Sequence, residues 1–536
     1  MGIMKIMMSR VFCVFGFSML LAAVANAATA STSTANAAAA SAVTPDNGAK
    51  GGSAQGWDQS FKAGATDQNG HYMGGAQIIH MAGHEGRLFA GNSYWCDSRN
   101  IYQGGRDRQT GWAQVLRLDR PGGPWTVDLE LGPQYLRVEV LKSVTFRTDG
   151  AGKPLPKPAP LLLAGTFSPS AGRVEVSLFA RNDATGKWTK GTVYSGPRQR
   201  GAEENFSVRA MCLHRDKVTG ADRLFVTIGS LGIFSGVYDE TAPGKIKWTS
   251  QSESGPVETR PLAIIEADGD LFFSAGRKIY RRVDGVHPTY KIVADMSDLY
   301  PTVPLNATGG IRGLTAIPNP NDKGNGKENG KEKGKENDKE NGRENGKGKE
   351  KGGKGQSLIF AMWAGKPCRG DIYRLDPSAD GGFTRVREAC LGDLMSRYLS
   401  GNPVNMVGAA YSDFHPVTDP VTGETVHLIG FESWITGKRF PTWGGVGKGG
   451  FYAGAMVAIR DAKGRYRLRE INGRSAPGKP VLVAPYCFML SPFAADGGRV
   501  IYFGGMDANK KPATNMAWIF SARLEDFLRD EPGRDY

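Results

Sequence analysis

Four arginines stand at the same point of a repeated pattern, at the entry to a short apolar segment. They are Arg137, Arg209, Arg260 and Arg312. A guanidinium group donates paired hydrogen bonds to a carboxylate or a phosphate, so four of them at one place would bind an anion. Like charges that close repel one another unless acids or an anion lie between them. The competing interpretation is structural, with Glu139, Glu204 or Glu258 forming salt bridges to the arginines.

Large aromatic residues flanked by polar groups form a second candidate set. The groups are Tyr94, Trp95 and Asp97; Trp363 and Lys366; and Glu432 and Trp434. An aromatic ring covers the apolar face of a sugar while polar neighbours bond its hydroxyls. For any single tryptophan, packing between sheets is the simpler explanation. The Gly-rich segment 436–451, with Arg439, Phe440 and Trp443, would fold over such a site as a mobile lid.

Short strands must position these residues. The clearest set is four apolar segments separated by turn dipeptides such as Asp268-Gly269 and Asp284-Gly285, which are hairpin signals. The segments are 262–266, 271–275, 278–283 and 290–295. Four antiparallel strands in about forty residues have the size of one β-propeller blade.

Six further segments of the chain repeat this pattern, which predicts an all-β fold, a seven-bladed β-propeller of four-stranded antiparallel blades. The innermost strands are expected within 77–80, 138–146, 208–213, 262–266, 311–317, 406–411 and 487–493. The seventh copy lacks an outer strand, which residues 57–61 would supply and so close the ring. Helical periodicity is confined to 391–399 and 524–528.

Three segments carry a resemblance to known proteins. His-Arg-Asp-Lys-Val-Thr-Gly at 214–220, Ser-Gly-Val-Tyr-Asp at 235–239 and Gly-Ile-Arg-Gly-Leu-Thr-Ala-Ile-Pro at 310–318 resemble secreted bacterial β-propeller proteins of uncharacterised function. The resemblance covers nearly all of the mature chain and implies a fold without a mechanism. By analogy with that fold, the site lies on the face that carries the loops before each innermost strand.

Three segments of biased composition lie outside the repeats. Residues 1–27 have a basic start, an apolar run and a final Ala-Asn-Ala, the pattern of a cleaved signal peptide, so we expect a secreted or periplasmic protein with no membrane span. Residues 28–56 form an Ala/Ser/Thr-rich leader, and 321–355 a Lys/Glu/Asn/Gly insertion in blade 5. Neither buries enough apolar surface to fold, so we expect both to be disordered. The propeller domain then covers 57–536.

The charge and the remaining motifs exclude several functions. The formal net charge is +14, but the signal contributes +2 and the insertion +3, and the remainder contains no single basic run, so nucleic acid is not an expected partner. The glycines at 445–450 fit a dinucleotide loop but precede a strand-like segment, so no cofactor is expected. His80 and His84 lie on a strand and its turn, where they would not converge on a metal.

The cysteines give one disulfide prediction. Cys368 and Cys390 lie at the same end of neighbouring strands, and export favours their oxidation. Cys212 lies within an innermost strand and should be a buried thiol. The pairing of Cys96 and Cys487 stays open.

Two functions remain, with the catalytic residues unknown. The first is a monomeric binding protein that holds an anionic ligand, such as a uronate-containing glycan, at the channel mouth; the four arginines with Trp95, Trp363 and Trp434 would bind it. The second is a polysaccharide lyase on the same face, in which His71, Tyr72 or Tyr94 would remove the C5 proton. A protein-interaction scaffold is a third interpretation. The spacing reveals no acid/base pair, which favours binding.

Overall fold

The computed structural model describes residues 57–94, 98, 111–168, 174–196, 207–301, 309–322, 355–363, 370–399, 404–409, 413–435, 451–452, 456–471, 482–507 and 515–529. The signal, the leader and residues 323–354 of the insertion lie outside these ranges, so the predictions for them stay predictions. Both expected helices are confirmed, as α1 (Leu391–Tyr398) and α2 (Leu524–Leu528). Within the described ranges, no helix has both the length and the apolar character needed to cross a bilayer.

Strands make up most of the described chain. The first three are β1 (Trp57–Lys62), β2 (Ala65–Thr66) and β3 (Tyr72–Met73). The next eight form one antiparallel sheet: β4 (Gln77–His84), β5 (Arg87–Ser93), β6 (Gln114–Leu118), β7 (Trp125–Glu130), β8 (Arg137–Thr148), β9 (Pro154–Phe167), β10 (Val174–Asn182) and β11 (Lys187–Gly196).

Three four-stranded antiparallel sheets follow. Their strands are β12 (Val208–Arg215), β13 (Asp222–Ile228), β14 (Gly232–Tyr238) and β15 (Ile246–Trp248); β16 (Pro261–Ala267), β17 (Asp270–Ala275), β18 (Lys278–Val283) and β19 (Thr289–Asp295); and β20 (Gly310–Pro318), β21 (Gln356–Trp363), β22 (Asp371–Pro377) and β23 (Phe383–Cys390).

Two sheets complete the chain. The first contains β24 (Val404–Ala409), β25 (His415–Thr418), β26 (Thr425–Ile435), β27 (Phe451–Tyr452), β28 (Met456–Arg460) and β29 (Tyr466–Glu470). The second contains β30 (Leu482–Leu490), β31 (Val500–Asp507), β32 (Ala517–Arg523) and β1.

The hairpin signals in β16–β19 predicted the local structure correctly. Ala267 pairs with Asp270 across a two-residue turn, and the turn residues Asp268 and Gly269 both have positive φ, at 50° and 71°. This backbone matches the twist of the flanking strands, which is why Asp-Gly favours such turns. The four predicted strands are confirmed to within two residues at each end.

The N-terminal strand closes the ring, as predicted from the missing outer strand. β1 pairs antiparallel with β32, from Trp57 opposite Ala522 to Lys62 opposite Trp518. Trp57 and Phe61 are buried, so the closure joins the two chain ends through apolar packing as well as backbone hydrogen bonds.

The first strands of successive sheets pack side by side around a central channel. β4 contacts β8, which contacts β12, followed in turn by β16 and β20; β26 contacts β30, and β30 contacts β4. Apolar side chains fill the space between neighbouring sheets, as where Phe272 of β17 meets Phe383 of β23 with ring centroids 6.1 Å apart. This is a β-propeller arrangement.

The prediction of seven separate four-stranded blades needs correction. Among the described strands, four sheets have four strands, one has eight, one has six, and β2 and β3 form a two-stranded sheet. The eight-stranded sheet arises because Ser93, at the end of β5, pairs with Arg137, at the start of β8. The six-stranded sheet arises because β26 is eleven residues long and pairs with β25 and β27 beyond its main partners.

The cysteine predictions have different outcomes. Cys212 is a buried thiol, as expected, and burial raises its pKa to about 11. Cys368 and Cys96 lie outside the described residues, so the disulfide between Cys368 and Cys390 stays a prediction.

Candidate functional site

The structure brings the four predicted arginines together. Arg137 begins β8, Arg209 is the second residue of β12, Arg260 directly precedes β16, and Arg312 is the third residue of β20. Because these strands are neighbours around the channel, their entry ends meet at one mouth of it. Each arginine is only 6–8% exposed. We call these four residues the arginine cluster.

One carboxylate forms ion pairs with three members of the cluster. Glu139, which is 1% exposed, places Oε2 3.2 Å from Arg137 Nε and Oε1 3.6 Å from Arg209 Nε and 3.5 Å from Arg260 Nη1. Glu139 follows Arg137 by two residues on β8, at the irregularity where the register with β9 shifts between Val138 and Val140. Glu139 therefore forms the salt bridges that the structural interpretation expects. A single carboxylate has one negative charge and cannot neutralise three guanidinium groups alone.

The other two proposed salt-bridge acids do not add to this pairing. Glu204 lies outside the described residues. Glu258 is half exposed and lies 3.6 Å from Lys278 Nζ.

The arginines of the cluster repel one another. Burial lowers the pKa of Arg260 to about 9, and repulsion by Arg209, Arg137 and Arg312 acts in the same direction, against the attraction of Glu139. Arg260 Nη1 donates to Ser207 Oγ at 3.3 Å, whereas its buried Nε has no hydrogen-bond partner among the described residues. The arrangement favours an additional negative charge at this point.

Neutral polar groups hold two of the arginines in place. Gln77 Oε1 accepts from Arg137 Nη2 at 3.3 Å, and Arg209 Nη1 lies 3.4 Å from both His80 Nε2 and the Glu139 carbonyl oxygen. Burial, followed by Arg209 and Arg137, lowers the pKa of His80 well below its usual value. His80 is therefore a neutral imidazole that accepts from the guanidinium.

Arg312 lies beside two residues of the second candidate set. Its guanidinium stacks over the Trp363 ring, 4.5 Å from the centroid. Glu432 is 1% exposed, and burial raises its pKa to about 8, although Arg312 and a hydrogen bond from Tyr486 oppose the shift. Gly408 permits this approach, because a Cβ there would clash with Trp363 and lie 2.8 Å from Glu432 Oε1.

Several predicted site residues cannot be placed. Trp95, Asp97, Lys366 and the segment 436–450 lie outside the described residues. Trp434 has its backbone in β26, but its side chain is not described.

The three candidate lyase bases are held by structural contacts. His71 is 54% exposed, with Nδ1 3.3 Å from Asp67 Oδ2. Tyr72 donates its hydroxyl to Asn515 at 2.6 Å. Tyr94 is fully buried and packs with Leu136 and Phe167. These contacts explain the three side chains without assigning them a base role.

The two histidines of β4 have different partners. His80 faces Arg209, whereas His84 Nδ1 and Nε2 lie 2.8 Å from Ser143 Oγ and 2.9 Å from Asp183 Oδ2. Among the described residues, no cluster of three or more metal-ligating side chains is found.

Sequence reasoning missed the relation between Glu432 and Arg312. It grouped Glu432 with Trp434 as a loop residue that would bond sugar hydroxyls. The signal was present in Gly430-Phe431-Glu432-Ser433-Trp434, where an acid interrupts an apolar strand and is therefore expected to be buried.

Comparisons with known proteins give remote likenesses. No family model matches the chain, and no curated protein matches it. Among solved structures, a fungal alcohol oxidase in complex with copper shares 11% identity and a TM-score of 0.41, covering 88% of this chain and 76% of that one. An α-L-arabinanase of Penicillium chrysogenum complexed with arabinobiose shares 10% identity and a TM-score of 0.36, covering 88% and 99%.

A third solved structure is equally remote. The α-L-arabinofuranosidase of Fusarium graminearum, with arabinobiose, shares 9% identity and a TM-score of 0.35, again over 88% and 99% of the two chains. Likeness at this level carries no argument about what this chain does. The β-propeller arrangement rests on its own strand pairing.

Proposed function

We propose that this protein is a binding protein whose arginine cluster holds the carboxylate of an anionic ligand, of the uronate-glycan class. The observation that carries the proposal is the convergence of three buried arginines on Glu139 with Arg312 nearby, and their mutual repulsion contributes to the lowered pKa of Arg260. A ligand carboxylate would relieve that repulsion. It would also accept the paired hydrogen bonds that guanidinium groups donate.

The stacking of Arg312 on Trp363 supports a cyclic ligand. A uronate residue carries a carboxylate on one edge and apolar C–H surface on its faces, so it would contact the guanidinium and the indole together. Trp95 and Trp434 remain proposed contacts of the same ligand.

A titration panel tests this proposal. Oligogalacturonate is compared by isothermal titration calorimetry with a neutral galactose oligomer of the same length. The proposal expects the charged oligomer to bind at least about 100-fold more tightly, since a charge-assisted hydrogen bond contributes roughly 1.5–3 kcal/mol and several are available. Equal affinity for the two oligomers would refute it.

A polysaccharide lyase is the second candidate, and Glu432 is the observation that favours it. A general acid or base works best with a pKa near the operating pH, and the pKa of Glu432 is raised to about 8 beside Arg312. In this scheme the arginines neutralise the uronate carboxylate and ionised Glu432 removes the C5 proton. The electron pair then expels the oxygen at C4, which takes a proton from solvent, and a C4–C5 double bond remains.

Ultraviolet absorbance distinguishes the two candidates. A lyase produces an unsaturated product from oligogalacturonate, and Glu432→Gln should stop its formation while leaving binding in place. Tight binding without any absorbance change would leave binding as the function.

The number of blades, the export of the protein and its oligomeric state belong to the same proposal. Each half of the eight-stranded sheet contains four consecutive antiparallel strands, which supports counting it as two blades and the ring as seven. The pattern of residues 1–27 supports export. We also propose that the protein is a monomer; sedimentation at several concentrations checks this.

A further inference from the structure

A cavity of about 700 Å³ occupies the channel on the side away from the arginine cluster. Its outer end lies at the turn between β4 and β5, at Glu85 and Gly86, and its inner end reaches His80 and Arg209. The other three members of the arginine cluster do not line it. The cavity therefore approaches the cluster from the opposite face of the propeller and meets it only at Arg209.

Four charged residues line this cavity. Lys142 of β8, Arg209 of β12 and Asp413, which precedes β25, lie along its interior, and Glu85 lies at its outer end. Lys142 Nζ donates to the Met211 carbonyl oxygen at 3.0 Å, so the ammonium group is held against the wall of the channel. The cavity thus contains two cations and two acids, of which Glu85 lies at the outer end, away from the cations.

Asp413 lies along the cavity. The residue is exposed, yet it lies deep within the molecule, because the cavity reaches it. This deep position raises its pKa, while Lys142 and Arg209 act in the opposite direction. In the described part of the chain, Asp413 forms no ion pair with either cation, so a gap separates the opposite charges.

A buried imidazole adds a further polar atom. His415 lines the cavity, and its buried Nε2 has no hydrogen-bond partner among the described residues. Burial lowers the pKa of His415 to about 4, so the ring is neutral at physiological pH and each nitrogen donates or accepts one hydrogen bond. A buried polar atom without a partner is costly unless a ligand or water satisfies it.

We propose that this cavity is a second binding site, which shares only Arg209 with the arginine cluster and takes a small sugar acid. The ligand carboxylate lies between Lys142 and Arg209, and its hydroxyl groups bond Asp413 and His415. The two cations at the inner end favour a carboxylate over a neutral sugar at that position. The apolar wall formed by Val140, Leu262, Ile264 and Phe488 packs against the C–H surface of the ring.

The size of the cavity agrees with this ligand class. Small-molecule sites in proteins typically have volumes of about 300–1,000 Å³. The cavity also opens at its outer end, through residues Glu85, Gly86 and Pro492, which gives a small solute a path of entry. A polymer needs no such path to reach the arginine cluster, since the cluster lies at the opposite mouth.

Calorimetric titration with D-glucuronate tests the proposal. Lys142→Met and Asp413→Asn should each weaken glucuronate binding at least about 10-fold, which corresponds to about 1.4 kcal/mol. Ala210→Phe, which places a ring in the cavity, should abolish binding. Lys245→Met is the matched control, because Lys245 lies on the surface paired with Glu240, and it should leave the affinity unchanged. Glucose should bind at least about 10-fold more weakly than glucuronate.

Two results would overturn the proposal, and a second Lys142 variant keeps the test valid if the first does not fold. Glucuronate affinity that falls in Arg260→Gln but not in Lys142→Met would place the sugar acid in the arginine cluster. Affinity that is the same for glucose and glucuronate would remove the role of the cations. Lys142→Gln, which keeps a donor for the Met211 carbonyl, replaces Lys142→Met if the latter does not fold. The test uses a monosaccharide, so it stands whether or not the cluster binds oligogalacturonate.

Discussion

Replacing Glu139 by Gln removes the one carboxylate that three buried arginines share. At about 3.5 Å and an effective dielectric constant of 20, each contact represents about 5 kcal/mol of attraction, most of which offsets the desolvation of the ions. Breaking a buried pair by removing one partner costs about 3–5 kcal/mol, because the remaining charges are stranded. We expect Glu139→Gln to lower the free energy of unfolding by that amount.

The loss should appear as a modest change in melting temperature. With an unfolding entropy of about 2.1 cal/mol/K per residue, a chain of 536 residues loses about 1 °C per kcal/mol, so Tm should fall by about 3–5 °C. Differential scanning calorimetry in a buffer without polyvalent anions measures it. Glu258→Gln is the control, since its half-exposed contact with Lys278 contributes at most about 1 kcal/mol.

An added anion should restore part of this stability. A ligand at 100 times its Kd stabilises the folded state by about 2.7 kcal/mol, and the variant has more positive charge to neutralise than the parent. Oligogalacturonate should therefore raise Tm further in Glu139→Gln than in the parent. A variant that melts with the parent, or one that shows no anion effect, would refute the view that Glu139 stabilises the cluster and that an added anion can take its place.

Three more predictions follow from the charged groups and the insertion. Anion affinity should be constant between pH 6 and 7.5 and fall at least about 10-fold by pH 10, because Glu432 ionises near pH 8 and Arg260 loses its proton near pH 9; calorimetry across this range checks it. The pKa values of His415 and His427 are lowered to about 4, so their contribution to stability is present above pH 6.5 and lost as the pH falls toward 4. Urea unfolding should show that His427→Gln loses about 2–3 kcal/mol less than the parent between pH 7 and pH 4.5. Deleting residues 323–354 should leave thermal stability within about 1 kcal/mol of the parent in the same scans, because loop length enters only logarithmically.

Local features of the fold could be predicted from the sequence because their causes are local. The Asp268-Gly269 turn and the flanking apolar alternation determine β16 and β17 within a few residues of chain. The pairing of β1 with β32 followed from counting strands in the last copy. The joining of β5 to β8 through Ser93 and Arg137 could not be predicted, since a single residue pair depends on how closely two sheets approach.

The candidate site also has features that could be predicted from the sequence and features that could not. A repeated frame predicted that Arg137 and Arg312 lie near one channel mouth, because equivalent positions of a ring share a face. The raised pKa of Glu432 could not be predicted, since burial raises it against the opposing effects of Arg312 and Tyr486, which belong to other sheets. The cavity that contains Asp413 is likewise a property of the assembled ring.

The most direct test of the central claim is the affinity of the double variant Arg260→Gln/Arg312→Gln for oligogalacturonate, measured by calorimetry beside the parent. Neither residue lines the channel cavity, so the measurement reports on the arginine cluster alone. Two lost charge-assisted contacts, each worth roughly 1.5–3 kcal/mol, should weaken binding at least about 100-fold while the circular dichroism spectrum stays that of the parent. A folded double variant that binds oligogalacturonate as tightly as the parent would contradict the account.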